Sequence, residues 1–360
     1  MMNYKETLFF VAKCLTINHE EKNKVLIEKV LKSGNTDWDS VVKVSTGHFV
    51  FPALYCNLKR ANFLHYVPEE LVNYMIHITD LNRERNQQII DQAKEINELL
   101  LKNNITPIFL KGTGNLLEGL YEDIGERMVG DIDIILTKEN VLEANKILQN
   151  NNYTSSSIMF DDHRHLPRLT KVNKIAAIEL HKDFLEIPYR NNFNYSSIKD
   201  SVVTTEQNYS FLSAVDKMAM NIFSNQITDD GYEKASILLR NYYDFILLSQ
   251  NCISNEVSIK YPEYKNIIIS YWAVNSLLVK GNTTQEIPYN KIERKQINKV
   301  LWILNNPKLS SIYNKLKDLK IYLLTRSSIF IKAFYKKSNF MFVLSRVTSL
   351  EWYKRRIFRN

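Results

Sequence analysis

Glycine is scarce in this 360-residue chain: nine residues, beside eight prolines and three cysteines. So few turn formers argue for a helix-rich protein and against many short strands joined by tight turns. Cys14, Cys56 and Cys252 lie far apart with no CxxC spacing. That excludes a disulfide framework and a cysteine zinc site, and suits reduced thiols in the cytosol. Long apolar runs are also missing. Ile267 to Val279 is too short to span a bilayer and is interrupted by Ser270, Asn275 and Ser276. The N-terminus MMNYKETLFFVAKCL has acidic Glu6 and no small-residue cleavage site, so it reads as a helix and not a signal peptide. A soluble, cytoplasmic protein is expected.

What remains is a normal globular balance, 45% apolar and 24% charged, in a chain long enough for two or three domains. The net charge of +8 is concentrated at one end. Residues 319–360 hold five lysines and five arginines against the single acid Glu351, so the first 318 residues carry −1. The basic character therefore belongs to a tail.

Hydrophobic periodicity gives helices through residue 78 and again from Leu81 to Leu101, where Ile89, Ala93, Ile96 and Leu100 share a face. Asn103 and Asn104 stop that helix. The pattern then changes. Thr106 to Leu110 is a short strand leading into the turn Lys111-Gly112-Thr113-Gly114, followed by a helix from Asn115 to Tyr121. Gly130 to Leu136 (GDIDIIL) is a strand by alternation and β-branching, and Thr137 caps the next helix. Ser156 to Phe160 and Ile175 to Phe184 are further strands. Beyond residue 210 helices return: Val215, Ala219 and Ile222 share one face, and Ala235, Leu238, Tyr242 and Phe245 another. The expected fold is α+β, a small mixed sheet between helical N- and C-terminal regions. Its expected divisions are 1–78, 79–205, 206–318 and the tail 319–360.

The chemistry centres on Asp131-Ile132-Asp133. Alternation along a strand puts both aspartates on one face. Paired carboxylates repel and are costly to desolvate unless a cation neutralises them, and Mg²⁺ favours such oxygens together with phosphate and water. Glu179, between Ile178 and Leu180, is the candidate third acid on a second strand. Lys111-Gly112-Thr113 sits between strand and helix. A glycine there lets a phosphate approach the backbone, and the helix N–H groups, the threonine hydroxyl and the lysine supply partners for it. The Walker A spacing is missing.

The order of a Lys-Gly turn, Tyr121, Arg127, Asp131-Ile-Asp133 and then Glu179-Leu-His181 resembles a family of largely uncharacterised bacterial nucleotidyltransferases of the polymerase-β superfamily. The resemblance is closest over FLKGTGNLLEGLYEDIGERMVGDIDIIL and covers about residues 40 to 250. It implies that Asp131 and Asp133 are metal ligands on the first active-site strand and Glu179 the third acid. Gly112 and Thr113 would stand where the superfamily carries the turn that holds a triphosphate. Two Mg²⁺ ions, or Mn²⁺, and ATP or another nucleoside triphosphate follow as expected cofactors and substrate. The acceptor is left open. Arg127 is a candidate phosphate contact, and His181, Arg240 and Asp244 are candidate substrate contacts. Arg240 and Asp244 also have the i, i+4 spacing of an intrahelical ion pair. Asp161, Asp162, His163 and His165 invite a metal reading, but no second ligand pair at zinc spacing accompanies them and zinc is not expected.

Two other functions fit the same motifs. A glycosyltransferase also uses a D-x-D on a divalent ion, but it would normally place a nucleotide-binding βαβ region first, where this chain is helical. A non-catalytic binding or regulatory member of the same fold is the second. In the tail, Ile321-Tyr-Leu-Leu, Ile329-Phe-Ile and Phe340-Met-Phe-Val-Leu interleave with basic residues. Such a segment suits an anionic membrane surface or, less so, nucleic acid phosphates, or packs its apolar side on the protein itself.

Overall fold

The computed structural model describes residues 2–155, 163–281 and 290–348. Helices α1 (Tyr4–Cys14), α2 (Glu21–Lys32), α3 (Trp38–Gly47) and α4 (Phe51–Arg60) come first. They are followed by the 33-residue α5 (Glu69–Leu101). The core follows as β1 (Ile108–Phe109), α6 (Lys111–Glu118), β2 (Asp131–Ile135), α7 (Lys138–Asn150), β3 (Ala177–His181), α8 (Tyr195–Ile198), β4 (Val203–Thr204) and β5 (Ser210–Phe211). The chain then returns to helices α9 (Ala214–Phe223), α10 (Gly231–Lys234), α11 (Leu239–Leu248), α12 (Ser254–Lys260), α13 (Lys265–Lys280) and α14 (Lys291–Asn305). A hairpin of α15 (Pro307–Ala333) and α16 (Lys337–Val347) ends the described chain.

This is the α+β fold expected, a small mixed sheet within a helical molecule. Strand order is β3-β2-β1-β5-β4. β2 runs parallel to β3 and antiparallel to β1, and β1 runs parallel to β5. Ile132, Ile134, Ile178 and Leu180 are at most 1% exposed, so one sheet face is core and the alternate residues carry the polar groups. Thr137 accepts from the Asn140 N–H and opens α7, as its type at that position dictates.

Several local expectations need correction. The helix after β1 begins at Lys111 and not at Asn115, so the Lys-Gly-Thr-Gly segment is itself the first turn of α6. Ala235 adopts a left-handed conformation at the end of α10 and lies outside α11, so it shares no helical face with Tyr242. The two-residue strands β4 and β5 have too little sequence to show a period. Ser156 to Phe160 lies outside the described residues.

α6 lies hard against β1. A Cβ on Gly114 would meet the Phe109 carbonyl oxygen at 2.7 Å, and that atom belongs to the sheet backbone. Gly114→Ala is therefore expected to destabilise the fold by about 1–3 kcal/mol, read by chemical denaturation. A cost near zero would mean that helix and strand part easily.

Candidate active site

β2 and β3 pair in register, with Asp133 opposite Glu179 and Asp131 opposite Ala177. Their acidic side chains open onto a cavity of about 300 Å³. The strands supply one wall and the start of α6 another. The third comes from α9, the π-helical turn Ser224–Thr228 that ends it, and α11. Such turns are rare and recur at functional sites.

Three carboxylates in a partly buried space need counter-charge. Lys111 Nζ lies 2.7 Å from Asp133 Oδ1, and His181 Nε2 lies 2.8 Å from the same oxygen. Arg168 donates to Glu179 Oε1 at 2.5 Å and to Asp131 Oδ2 at 3.3 Å. Burial works to raise all three carboxyls. It prevails at Asp131 despite Arg168. At Asp133 the Lys111 charge and the His181 hydrogen bond win, holding the carboxyl well below the usual aspartate range. At Glu179 burial is outweighed by the His181 ring and the other neighbours, and the carboxyl is held down to about 2. Asp133 and Glu179 are thus anionic throughout the physiological range.

The residues fit a divalent cation. Ligand atoms of Asp133, Glu179 and His181 all lie within 4.8 Å of one another. Asp131 stands beside them at the cavity mouth with its side chain 33% exposed, turned toward Arg168.

Lys111 itself has φ +50°, a left-handed conformation that costs a non-glycine residue about 1–2 kcal/mol. The strained turn aims its ammonium at Asp133, and Lys111, Gly112, Gly114 and Asn115 line the cavity. Gly112 has a packing reason as well as a chemical one, since a Cβ there would meet Val129 Cγ2 at 2.9 Å. The Thr113 hydroxyl donates to the Asp131 carbonyl at 2.8 Å, tying α6 to the D-x-D strand.

Arg127 is not an exposed loop arginine. It is 7% exposed and donates to both Asp244 oxygens, from Nε at 2.9 and 3.1 Å and from Nη2 at 2.9 Å. Tyr121 Oη donates to the same carboxylate at 2.8 Å. With Asp244 so occupied, the intrahelical Arg240–Asp244 pair does not form. Arg240 instead stacks on Phe49, 5.1 Å from the ring centroid, and its buried Nε has no hydrogen-bond partner. It lines the cavity without a carboxylate of its own among the described residues.

Arg164 and Arg168 were not singled out from the sequence. Both lie on a polar stretch without periodicity, and only pairing with β3 shows their role. Isolated bridges join His165 to His181 and Leu169 to Ile178. Four steps on one side match three on the other, a bulge at Pro167, which has no N–H to donate. The bulge turns Arg168 toward the acids.

A family model described as an uncharacterised nucleotidyltransferase matches residues 34–256. No curated protein and no solved structure matches the chain. The match spans the sheet, the acids, the Lys111 turn and the Arg127–Asp244 pair, and the chain belongs to that nucleotidyltransferase family.

Proposed function

We propose that the protein transfers a nucleoside monophosphate from a nucleoside triphosphate to an acceptor, with release of pyrophosphate, in the manner of the polymerase-β superfamily. The observation that carries this reading is the meeting of three acids, Lys111 and the start of α6 at one cavity. Asp131, Asp133 and Glu179 would hold two Mg²⁺ or Mn²⁺ ions. Bound there, such ions lower the acceptor's pKa and neutralise charge on the departing pyrophosphate.

The chain's own groups do the rest. Lys111 and the N–H groups of Gly112 and Thr113 receive phosphate oxygens at the positive end of α6. Arg168 and Lys111, which pair with the carboxylates in this structure, would be freed for the substrate's phosphates were divalent ions held there. Arg240, whose Nε has no hydrogen-bond partner, contacts an anionic group of the nucleotide or the acceptor. An acceptor oxygen forms a bond to the α-phosphorus while the bond from that phosphorus to the pyrophosphate oxygen breaks, and the acceptor's proton leaves to solvent. Arg127 and Asp244 fix the wall between sheet and helices. Most of the acceleration comes from positioning and charge neutralisation.

Incubating the protein with labelled nucleoside triphosphates, Mg²⁺ and cell lysate should label one class of molecule and release pyrophosphate. Neither labelling nor nucleotide binding would contradict the reading. Nucleotide binding without transfer would favour the non-catalytic alternative.

The hairpin α15–α16 presents Leu316, Leu323, Phe330, Phe334 and Phe340 to solvent, interleaved with Lys320, Arg326 and Lys337. No helix among the described residues is long and apolar enough to cross a membrane. We read the hairpin as a surface for anionic lipid, which would hold a cytoplasmic protein at the inner face of the membrane. The wild type should co-sediment with phosphatidylserine vesicles, and Lys320→Glu, Arg326→Glu and Lys337→Glu together should release it. Equal sedimentation of the two would rule out the charge-based contact.

A further inference from the structure

Two acceptors face each other beside the acids. His165 is 7% exposed and donates Nδ1–H to its neighbour's carbonyl, Leu166 O, at 2.6 Å. That bond fixes the tautomer and leaves Nε2 with a lone pair, the arrangement typical of a metal-binding imidazole. The lone pair looks at Glu179 Oε2, 3.8 Å away, and the Glu179 side chain is only 4% exposed. The separation is too long for a hydrogen bond. His181 Nε2 lies 3.4 Å from the same Oε2 and 2.8 Å from Asp133 Oδ1.

Donors sharing one small divalent ion at bond lengths of about 2.0–2.2 Å stand roughly 3–4 Å from each other. The separations of 2.8 and 3.4 Å among Asp133, Glu179 and His181 fall in or close to that range, and His165 Nε2, 3.8 Å from Glu179, stands just outside the group whose ligand atoms all lie within 4.8 Å of one another. The bulge at Pro167 produces the arrangement: it sets His165 opposite His181 while leaving Leu169 opposite Ile178. The histidines noticed in the sequence lacked a second ligand pair at zinc spacing because their partners, Glu179 and His181, come from another strand.

We propose that one ion of this centre is held through nitrogen, by Nε2 of His181 together with Glu179 and Asp133, with Nε2 of His165 as the adjoining ligand drawn in when the ion binds. The site then takes a first-row transition ion, borderline Zn²⁺ or Co²⁺ or the harder Mn²⁺, in preference to Mg²⁺. Imidazole suits Zn²⁺ and the later first-row ions, Mn²⁺ accepts it beside oxygen ligands, and Mg²⁺ sheds water reluctantly and collects carboxylate and phosphate oxygens. Asp131, outside the nitrogen-bearing group, is left for the all-oxygen position beside the substrate's phosphates. An ion on His181 Nε2 displaces the proton there and loosens one weak contact, Arg164 Nη1 at 3.4 Å from Nδ1. The inference rests on Asp133 and Glu179 being ion-binding acids, as the proposed function has them.

The test uses full-length, metal-free protein without nucleotide. Pulsed electron paramagnetic resonance of bound Mn²⁺ should show ¹⁴N coupling from imidazole. Mn²⁺ should bind at least about 100-fold more tightly than Mg²⁺, and His165→Ala or His181→Gln should weaken it by about 10–100-fold. Asp131→Asn should retain the ¹⁴N coupling. Purely oxygen-coordinated Mn²⁺ in the wild type, or equal affinity for the two ions, would overturn the proposal. The spectrum needs no variant, so a misfolded substitution does not blunt the test. Because no nucleotide is present, nitrogen-bound metal in a protein that transfers nothing would sink only the proposed function. Transfer with an all-oxygen site would sink only this inference.

Discussion

Asp133→Asn is expected to lower transfer by at least 100-fold, about 2.7 kcal/mol of transition-state stabilisation, while leaving the fold intact. Asp133 sits in the middle of β2 with Lys111 at 2.7 Å and His181 at 2.8 Å on one oxygen. Asparagine keeps the shape and one acceptor but removes the charge that both a divalent ion and Lys111 need. The sheet beneath depends on Ile132 and Ile134, which the substitution does not touch. Asp131→Asn should do the same to transfer with still less effect on stability, because its side chain is a third exposed. Pyrophosphate release measured beside far-ultraviolet circular dichroism separates the two effects. Retained turnover in both variants would remove the acids from the mechanism.

Asp244→Ala is expected to destabilise the protein by about 3–5 kcal/mol, a large part of the stability of an ordinary fold. The Arg127 side chain is 9% exposed and Asp244 5%. Removing the carboxylate strands a guanidinium and the Tyr121 hydroxyl together in the interior. The cost is that of an unpaired buried charge, and it exceeds the net worth of the pair. Replacing both partners, Arg127→Met with Asp244→Leu, should therefore recover much of the stability. Chemical denaturation of the two singles and the double reads this directly. A loss under about 1 kcal/mol in Asp244→Ala would show that water reaches the pair. The pair joins the loop before β2 to α11, so it also sets the spacing of the sheet and helical walls of the cavity.

The acid-bearing strands were legible because alternation over five residues is a strong signal and both aspartates must then share a face. Glu179 was legible for the same reason, between Ile178 and Leu180. The start of α6 was misplaced because a Lys-Gly-Thr-Gly segment carries turn chemistry in its residue types, while its actual state is set by packing of Gly112 and Gly114 against Val129 and β1. Asp244 looked like the partner of Arg240 on spacing alone. Its true partner, Arg127, is 117 residues away in sequence, beyond the reach of any local pattern. Arg168 and the histidine cluster were hidden for a similar reason. Their segment has no period, and only its bulged pairing with β3 brings Arg168 and His165 to Glu179.

Carboxylates on β2 and β3 are expected to hold divalent cations under a nucleotide's phosphates. Calorimetric titration of ATP into the full-length protein tests it most directly, run with divalent ion, with EDTA, and in Asp131→Asn, Asp133→Asn and Glu179→Gln. ATP should bind with the ion present, lose at least about 10-fold in affinity on chelation, and show little ion dependence in the variants. Equal affinity with and without the ion, unchanged in the three variants, would contradict it.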